Sequence, residues 1–186
     1  MNKKPIDALI IGAGPCGIFQ AFQLGLQGIQ CHIIESRESA GGQCNELYAD
    51  KPIYDIPGVP HVLAGELANQ LLMQLKPFDT QFHFNTTIND VKPRDDSTFT
   101  AHADNSTTFH ARHVIVASGA GAFTPVKLRL DNIAALEQKQ LFYASVEVTQ
   151  SAGKQIIITG DTPAAIEEVI RPVSYTHLTL PTIYSV

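Results

Sequence analysis

The stretch Ala8-Leu9-Ile10-Ile11-Gly12-Ala13-Gly14-Pro15-Cys16-Gly17 limits the possible folds more than any other part of the chain. Its opening apolar residues run without a polar break, the mark of a strand buried on both faces of a parallel sheet. Glycines follow at once in the spacing Gly12-x-Gly14-x-x-Gly17, and Ile18, Ala21, Phe22 and Gly25 then recur at helical spacing. Strand, glycine turn and helix in this order make a dinucleotide-binding fingerprint. Gly12 serves the tight turn, Gly14 has no Cβ to hold backbone away from a pyrophosphate, and Gly17 lets the helix pack closely on the strand. Pro15 suits the first helical turn, whose free N–H groups and positive dipole end favour an anion.

A second strand, Cys31-His32-Ile33-Ile34, ends at Glu35, where an acid accepts hydrogen bonds from a ribose. A carboxylate there repels a ribose 2′-phosphate, so the first site is expected to hold FAD or NAD and not NADP. Ser39-Ala40-Gly41-Gly42-Gln43 makes a second glycine turn, followed by a proline-rich loop from Asp50 to Pro60. Two glycines and an amide suit the edge of a flat ring, and they equally suit an ordinary surface turn.

The 186 residues, 44% hydrophobic and 17% charged, are those of an ordinary soluble globular chain with room for one domain or one and a half. A net charge of −5 with scattered Lys and Arg offers no basic face for nucleic acid. No apolar run approaches the ~20 residues that span a membrane. Met1-Asn2-Lys3-Lys4 leads straight into a strand, so no signal peptide and a cytoplasmic location are expected. Cys16, Cys31 and Cys44 form no C-x-x-C, which argues against both a disulfide framework and a zinc site. Cys16 reads as a small residue fitting a tight turn, with a thiol acidified by the helix start as the alternative. The histidines show no H-x-x-x-H pairing; His102, His110 and His113 fall on strand-like segments, and no metal is expected.

Farther along, Gly65 to Lys76 is a predicted helix with Leu67, Leu71, Leu72 and Leu75 on one face, stopped at Pro77. Gln81 to Val91 and Thr98 to Arg112 read as antiparallel strands. His113 to Ala117 reads as a separate parallel strand, whose following loop Ser118-Gly119-Ala120-Gly121 reaches the ligand crevice. Lys154 to Gly160 predicts another strand and turn, with Ile166, Val169 and Ile170 on the helix after it. That second fingerprint is degraded, since Thr162 stands where a glycine belongs. From Arg171 onward no register continues the fold.

Gly12-x-Gly14-x-x-Gly17, Glu35, Gly41-Gly42-Gln43, Tyr48, Tyr54-Asp55-Ile56-Pro57-Gly58, the antiparallel insertion and Ala117-Ser118-Gly119-Ala120-Gly121-Ala122-Phe123 together resemble the thioredoxin-reductase-like flavoproteins. Within them the chain looks like the ferredoxin(flavodoxin)–NADP reductases of the thioredoxin-reductase type, over residues 6 to about 170. The resemblance implies an α/β fold: a Rossmann-like FAD-binding domain with a parallel sheet and an antiparallel β insertion, plus the start of a second nucleotide-binding domain. Residues 1–119 would be the N-terminal portion of the FAD domain, 120–171 the linker and beginning of the NADPH domain, and 172–186 a non-native tail like translated vector sequence.

By the same resemblance Gly12, Gly14, Pro15 and Gly17 would hold the FAD pyrophosphate and Glu35 its ribose. Gly42, Gln43 and Tyr48 would touch the flavin side, Ile88 would meet the adenine through its backbone, and Gly119 and Phe123 would lie near the isoalloxazine. NADPH would reduce the flavin, which would pass single electrons to ferredoxin or flavodoxin, with no side-chain acid, base or nucleophile required. The family is homodimeric and continues well past Ile170, so the chain reads as a truncated form of a longer enzyme, itself inactive. The alternatives are a thioredoxin-disulfide reductase, which needs a C-x-x-C beyond the residues read, and a non-catalytic FAD-binding module.

Overall fold

β1 (Ile6–Ile11) is the axis of the fold: Ala8, Leu9 and Ile10 are almost wholly buried, and Leu9 faces the opposite side of the sheet from its neighbours. A computed structural model describes residues 4–122, 127–129, 132–137, 139–143, 154–160 and 165–166. The chain divides into two compact units, Met1–Phe123 and Thr124–Val186. In the first, α1 (Pro15–Leu26), β2 (Cys31–Ile34), α2 (Gln43–Glu46), β3 (Pro52–Ile53), β4 (Val62–Leu63), α3 (Ala64–Leu75), β5 (Gln81–His83), β6 (Ile88–Pro93), β7 (Phe99–Ala103) and β8 (Thr108–Val116) follow β1. Among the described residues these strands make a six-stranded sheet in the order β5-β2-β1-β8-β7-β6 and a two-stranded β3-β4 pair.

β2 and β8 both run parallel to β1, with Ile10 opposite Ile33 on one side and Ile115 on the other. Residues of β1 and β2 alternate between two cores. Ala8, Ile10, Cys31 and Ile33 meet Ile18 and Ala21 of α1 and Leu75 of α3, while Leu9 and Ile34 meet Ala101, Ala103, Phe109 and Ala111. Each fully buried Leu or Ile contributes about 1.5–3 kcal/mol, so the parallel strands hold the largest share of the apolar stabilisation. The expected helix at Gly65 to Lys76 is α3, with Leu67 and Leu75 buried and Leu71 and Leu72 packed against the same core. Gly25 of α1 faces the Phe78 ring so closely that a Cβ there would overlap it, which brings α1 and the end of α3 together.

Two strand expectations are corrected. Gln81 to His83 is not antiparallel: it is β5, the parallel edge strand on β2, with Ile33 opposite Phe82. A three-residue strand is too short for its own pattern to reveal the direction of its partner. His113 to Ala117 is likewise not a separate strand, since Thr108 through Val116 is continuous. Its first half pairs antiparallel with β7, burying Phe109 and Ala111 and exposing Thr108 and His110; its second half pairs parallel with β1. The change from alternating to continuous apolar residues marks a change of neighbours, not a break.

In the second unit Ile133–Ala135 forms a short 3-10 turn, Lys127 Nζ lies 2.7 Å from Glu137 Oε2, and Leu128 N–H donates to the Tyr143 hydroxyl at 3.2 Å. Residues 154–160, expected as a strand, carry no strand ladder, and Ile156, Ile157 and Ile158 are exposed. A parallel strand forms only when partners satisfy its backbone. Thr162, Ile170 and the tail 172–186 lie outside the described residues.

Candidate functional site

β1, β2 and β8 end at the same edge of the sheet, and each is followed by a loop carrying site residues. Gly12 N–H donates to Ile34 O at 2.8 Å and Ala117 N–H to Ile11 O at 2.8 Å, so the loops are tied where they leave the strands. Gly12 has φ +107°, and a Cβ there would overlap the Ala117 carbonyl; no other residue type fits. A Cβ on Gly17 would overlap the Gly12 carbonyl oxygen, which is the close helix-to-strand approach expected of it. Gly14 caps α1, Pro15 takes the first helical position, and Ile18 N–H donates to Gly14 O at 3.0 Å.

The second glycine turn is placed against the first. Gly41 N–H donates to Ala13 O at 2.8 Å, and a Cβ on Gly42, whose φ is +56°, would stand 3.0 Å from Gly14 Cα. Backbone thus meets backbone at the mouth of α1, a contact that only glycine at position 42 allows. Gln43 opens α2, and its Nε2 lies 3.7 Å from the position of a Cβ on Gly119, in the loop after β8. Asn45 Nδ2 donates to Ala40 O at 2.9 Å and holds this turn closed. Nothing in the sequence marks Asn45 for that task.

Glu35 is only 6% exposed and does more than its expected role requires. Its Oε2 accepts from Ala13 N–H at 2.8 Å, while Oε1 accepts from Arg37 N–H at 3.0 Å and from the Ser36 hydroxyl at 3.2 Å. A carboxylate offers about four acceptor positions, so about one remains for a ligand hydroxyl. Glu35 N–H donates to His83 O at 2.9 Å and Thr86 N–H to Glu35 O at 3.0 Å, which brings the segment after β5 alongside the acid. Ile88 starts β6 just beyond, half-buried and opposite Ala103.

Tyr48, 43% exposed, follows α2 and carries Lys51 Nζ 4.9 Å above its ring. Phe123 lies outside the described residues. Cys16 is exposed, whereas burial pushes the Cys44 thiol up, with the nearby Cys16 adding to the effect. Burial also raises the Cys31 thiol, opposed by a hydrogen bond with Thr80. Among the described residues no three His, Cys, Asp or Glu side chains group as metal ligands do, and no helix is long and apolar enough to cross a membrane.

The pyridine nucleotide-disulphide oxidoreductase family matches residues 6–169. The chain belongs to that family. Among its relatives this oxidoreductase-family chain is 43% identical to ferredoxin–NADP reductase 2 of Cupriavidus taiwanensis, over 87% of its own length and 44% of the relative's. It is 40% identical to a ferredoxin–NADP reductase of Parvibaculum lavamentivorans, over 88% of its length and 48% of the relative's. The chain therefore spans about half the length of the curated relatives it matches. Among solved structures, thioredoxin reductase from Streptococcus pyogenes MGAS5005 superposes with a TM-score of 0.53 at 26% identity, covering 68% of this chain and 37% of that one. OTEMO in complex with FAD and NADP gives a TM-score of 0.53 at 21% identity over 73% of this chain and 29% of that one, a likeness of fold. The resemblance to ferredoxin–NADP reductases and the Rossmann-like fold with its antiparallel insertion are thus borne out.

Proposed function

We propose that the chain is the FAD-binding portion of an oxidoreductase that passes electrons from NADPH to ferredoxin or flavodoxin. One arrangement carries this reading: the Gly14 and Gly42 backbones abut at the start of α1, with Glu35 fixed beside them through Ala13 N–H. A helix start where neither Gly14 nor Gly42 carries a Cβ to hold a ligand off the main-chain N–H groups suits a pyrophosphate. The relatives named ferredoxin–NADP reductase support the activity and the NADP cofactor, and the glycine turns with Glu35 support FAD.

In this reading the α1 N-terminus and Gly12, Gly14, Pro15 and Gly17 take the pyrophosphate, with the helix dipole offsetting its charge. Glu35 accepts from the ribose, the main chain near Ile88 meets the adenine, and Gly42, Gln43, Tyr48, Gly119 and Phe123 border the flavin. When bound, FAD supplies two-electron acceptance and one-electron release; the protein orients it and excludes water. Gln43 brings an amide near Gly119, able to donate and accept at a ring edge. Residues 1–119 form the FAD portion and 120–171 lead into an NADPH domain; the whole enzyme is a cytoplasmic homodimer. Cofactor released by heat from the purified protein is expected to chromatograph as FAD. FMN, NAD or no nucleotide would overturn the reading.

A further inference from the structure

Arg37 is the cation next to the ribose acid, and its polar groups point three ways. Its N–H donates to Glu35 Oε1 at 3.0 Å, its carbonyl accepts from Asn85 N–H at 2.9 Å, and its Nη1 lies 2.6 Å from Glu46 Oε1 on α2. In Rossmann sites an arginine near the end of β2 is what accommodates a ribose 2′-phosphate, while an acid there selects the free hydroxyl. This chain has both the acid and the arginine, so a free guanidinium would oppose the exclusion of a 2′-phosphate that Glu35 favours. Glu46 engages that guanidinium.

Glu46 reaches that position through the second glycine turn. Gly41 N–H donates to Ala13 O at 2.8 Å, and Gly42 sits against Gly14, so α2 starts at the mouth of α1 and carries its last residue back to the end of β2. We propose that Glu46 is a specificity-determining residue, which by neutralising Arg37 makes the first nucleotide site reject an adenosine ribose bearing a 2′-phosphate. The inference rests on the reading of this site as the seat of the ADP half of FAD. Both side chains are about one-third exposed, at 31% and 37%, so solvent screens the pair. It therefore adds little to fold stability, and its effect falls on the choice between ligands that differ by one phosphate.

The test is titration calorimetry of the 186-residue chain with ADP-ribose and 2′-phospho-ADP-ribose. The unaltered chain is expected to prefer ADP-ribose. Glu46→Gln is expected to narrow that preference about five- to tenfold by strengthening the 2′-phosphorylated ligand, and added salt to erode the gain. Adding Arg37→Gln to Glu46→Gln is expected to restore the original preference, because the gain passes through the guanidinium. A general loosening of α2 would weaken both ligands together and leave their ratio unmoved. A ratio unchanged in Glu46→Gln, or a gain that survives the loss of Arg37, overturns this inference alone. A chain that binds neither ligand overturns the FAD reading along with it.

Discussion

Glu35 shows how one side chain serves two ends. Its Oε2 satisfies the Ala13 N–H inside the first glycine turn, so the acid that would take the ribose also shapes the turn that would take the phosphates. Charged hydrogen bonds of this kind are worth about 1.5–3 kcal/mol, and Glu35→Ala is expected to weaken FAD about ten- to a hundredfold. Because Ala13 N–H loses its partner, the urea midpoint is expected to fall as well; a variant unchanged in both would show that Glu35 neither holds the ribose nor stabilises the turn. Gly12 and Gly28 make a second comparison. Both have positive φ, but a Cβ on Gly12 would overlap Ala117 while Gly28 has nothing within 4 Å. Gly28→Ala is expected to cost only the backbone part, about 1 kcal/mol, and Gly12→Ala about 2–5 kcal/mol in denaturant titrations.

Between elements, the β2–β5 pair carries a titration that no single strand reveals. His32 and His83 face one another with Nδ1 and Nε2 2.9 Å apart and their rings 5.1 Å between centroids, and the Phe109 ring stands T-shaped to His83 with centroids 5.0 Å apart. Burial holds His83 below its ordinary value; burial, then the His83 charge, holds His32 below, with Asp79 opposing. The unfolded chain therefore takes protons first. Stability from this pair is complete above the ordinary value of 6.5 and is lost as pH falls through it toward the lowered folded values. Urea midpoints measured from about pH 7.5 down to 5.5 are expected to decline, and less steeply in His83→Gln. An equal slope in the variant would place the pH dependence elsewhere.

At the scale of the molecule, the isoleucines of the parallel sheet and α1 contrast with those late in the chain. Ile10, Ile18, Ile33 and Ile34 are at most 1% exposed, whereas Ile156, Ile157, Ile158 and Ile166 are 48%, 86%, 36% and 61% exposed. Uncovered β-branched residues in a row are an association hazard. Ile157→Lys is expected to reduce concentration-dependent aggregation, read by light scattering, without altering FAD content. Aggregation unchanged by that charge would mean the association surface lies elsewhere.

Local residues sufficed for features that depend on sequence neighbours: the β1 strand, the Gly12, Gly14 and Gly17 turn, α1, α3 and an acid closing β2. Each follows from periodicity, proline and glycine geometry, or spacing along the chain. Partnership across the chain needed the tertiary structure. The direction of β5, the continuity of β8 through two kinds of pairing, and the meeting of Gly42 with Gly14 depend on which backbone lies alongside. The engagement of Arg37 by Glu46 and the burial of His32 against His83 depend on the same packing, because charge and solvent access are set by what surrounds a side chain and not by its position in the sequence.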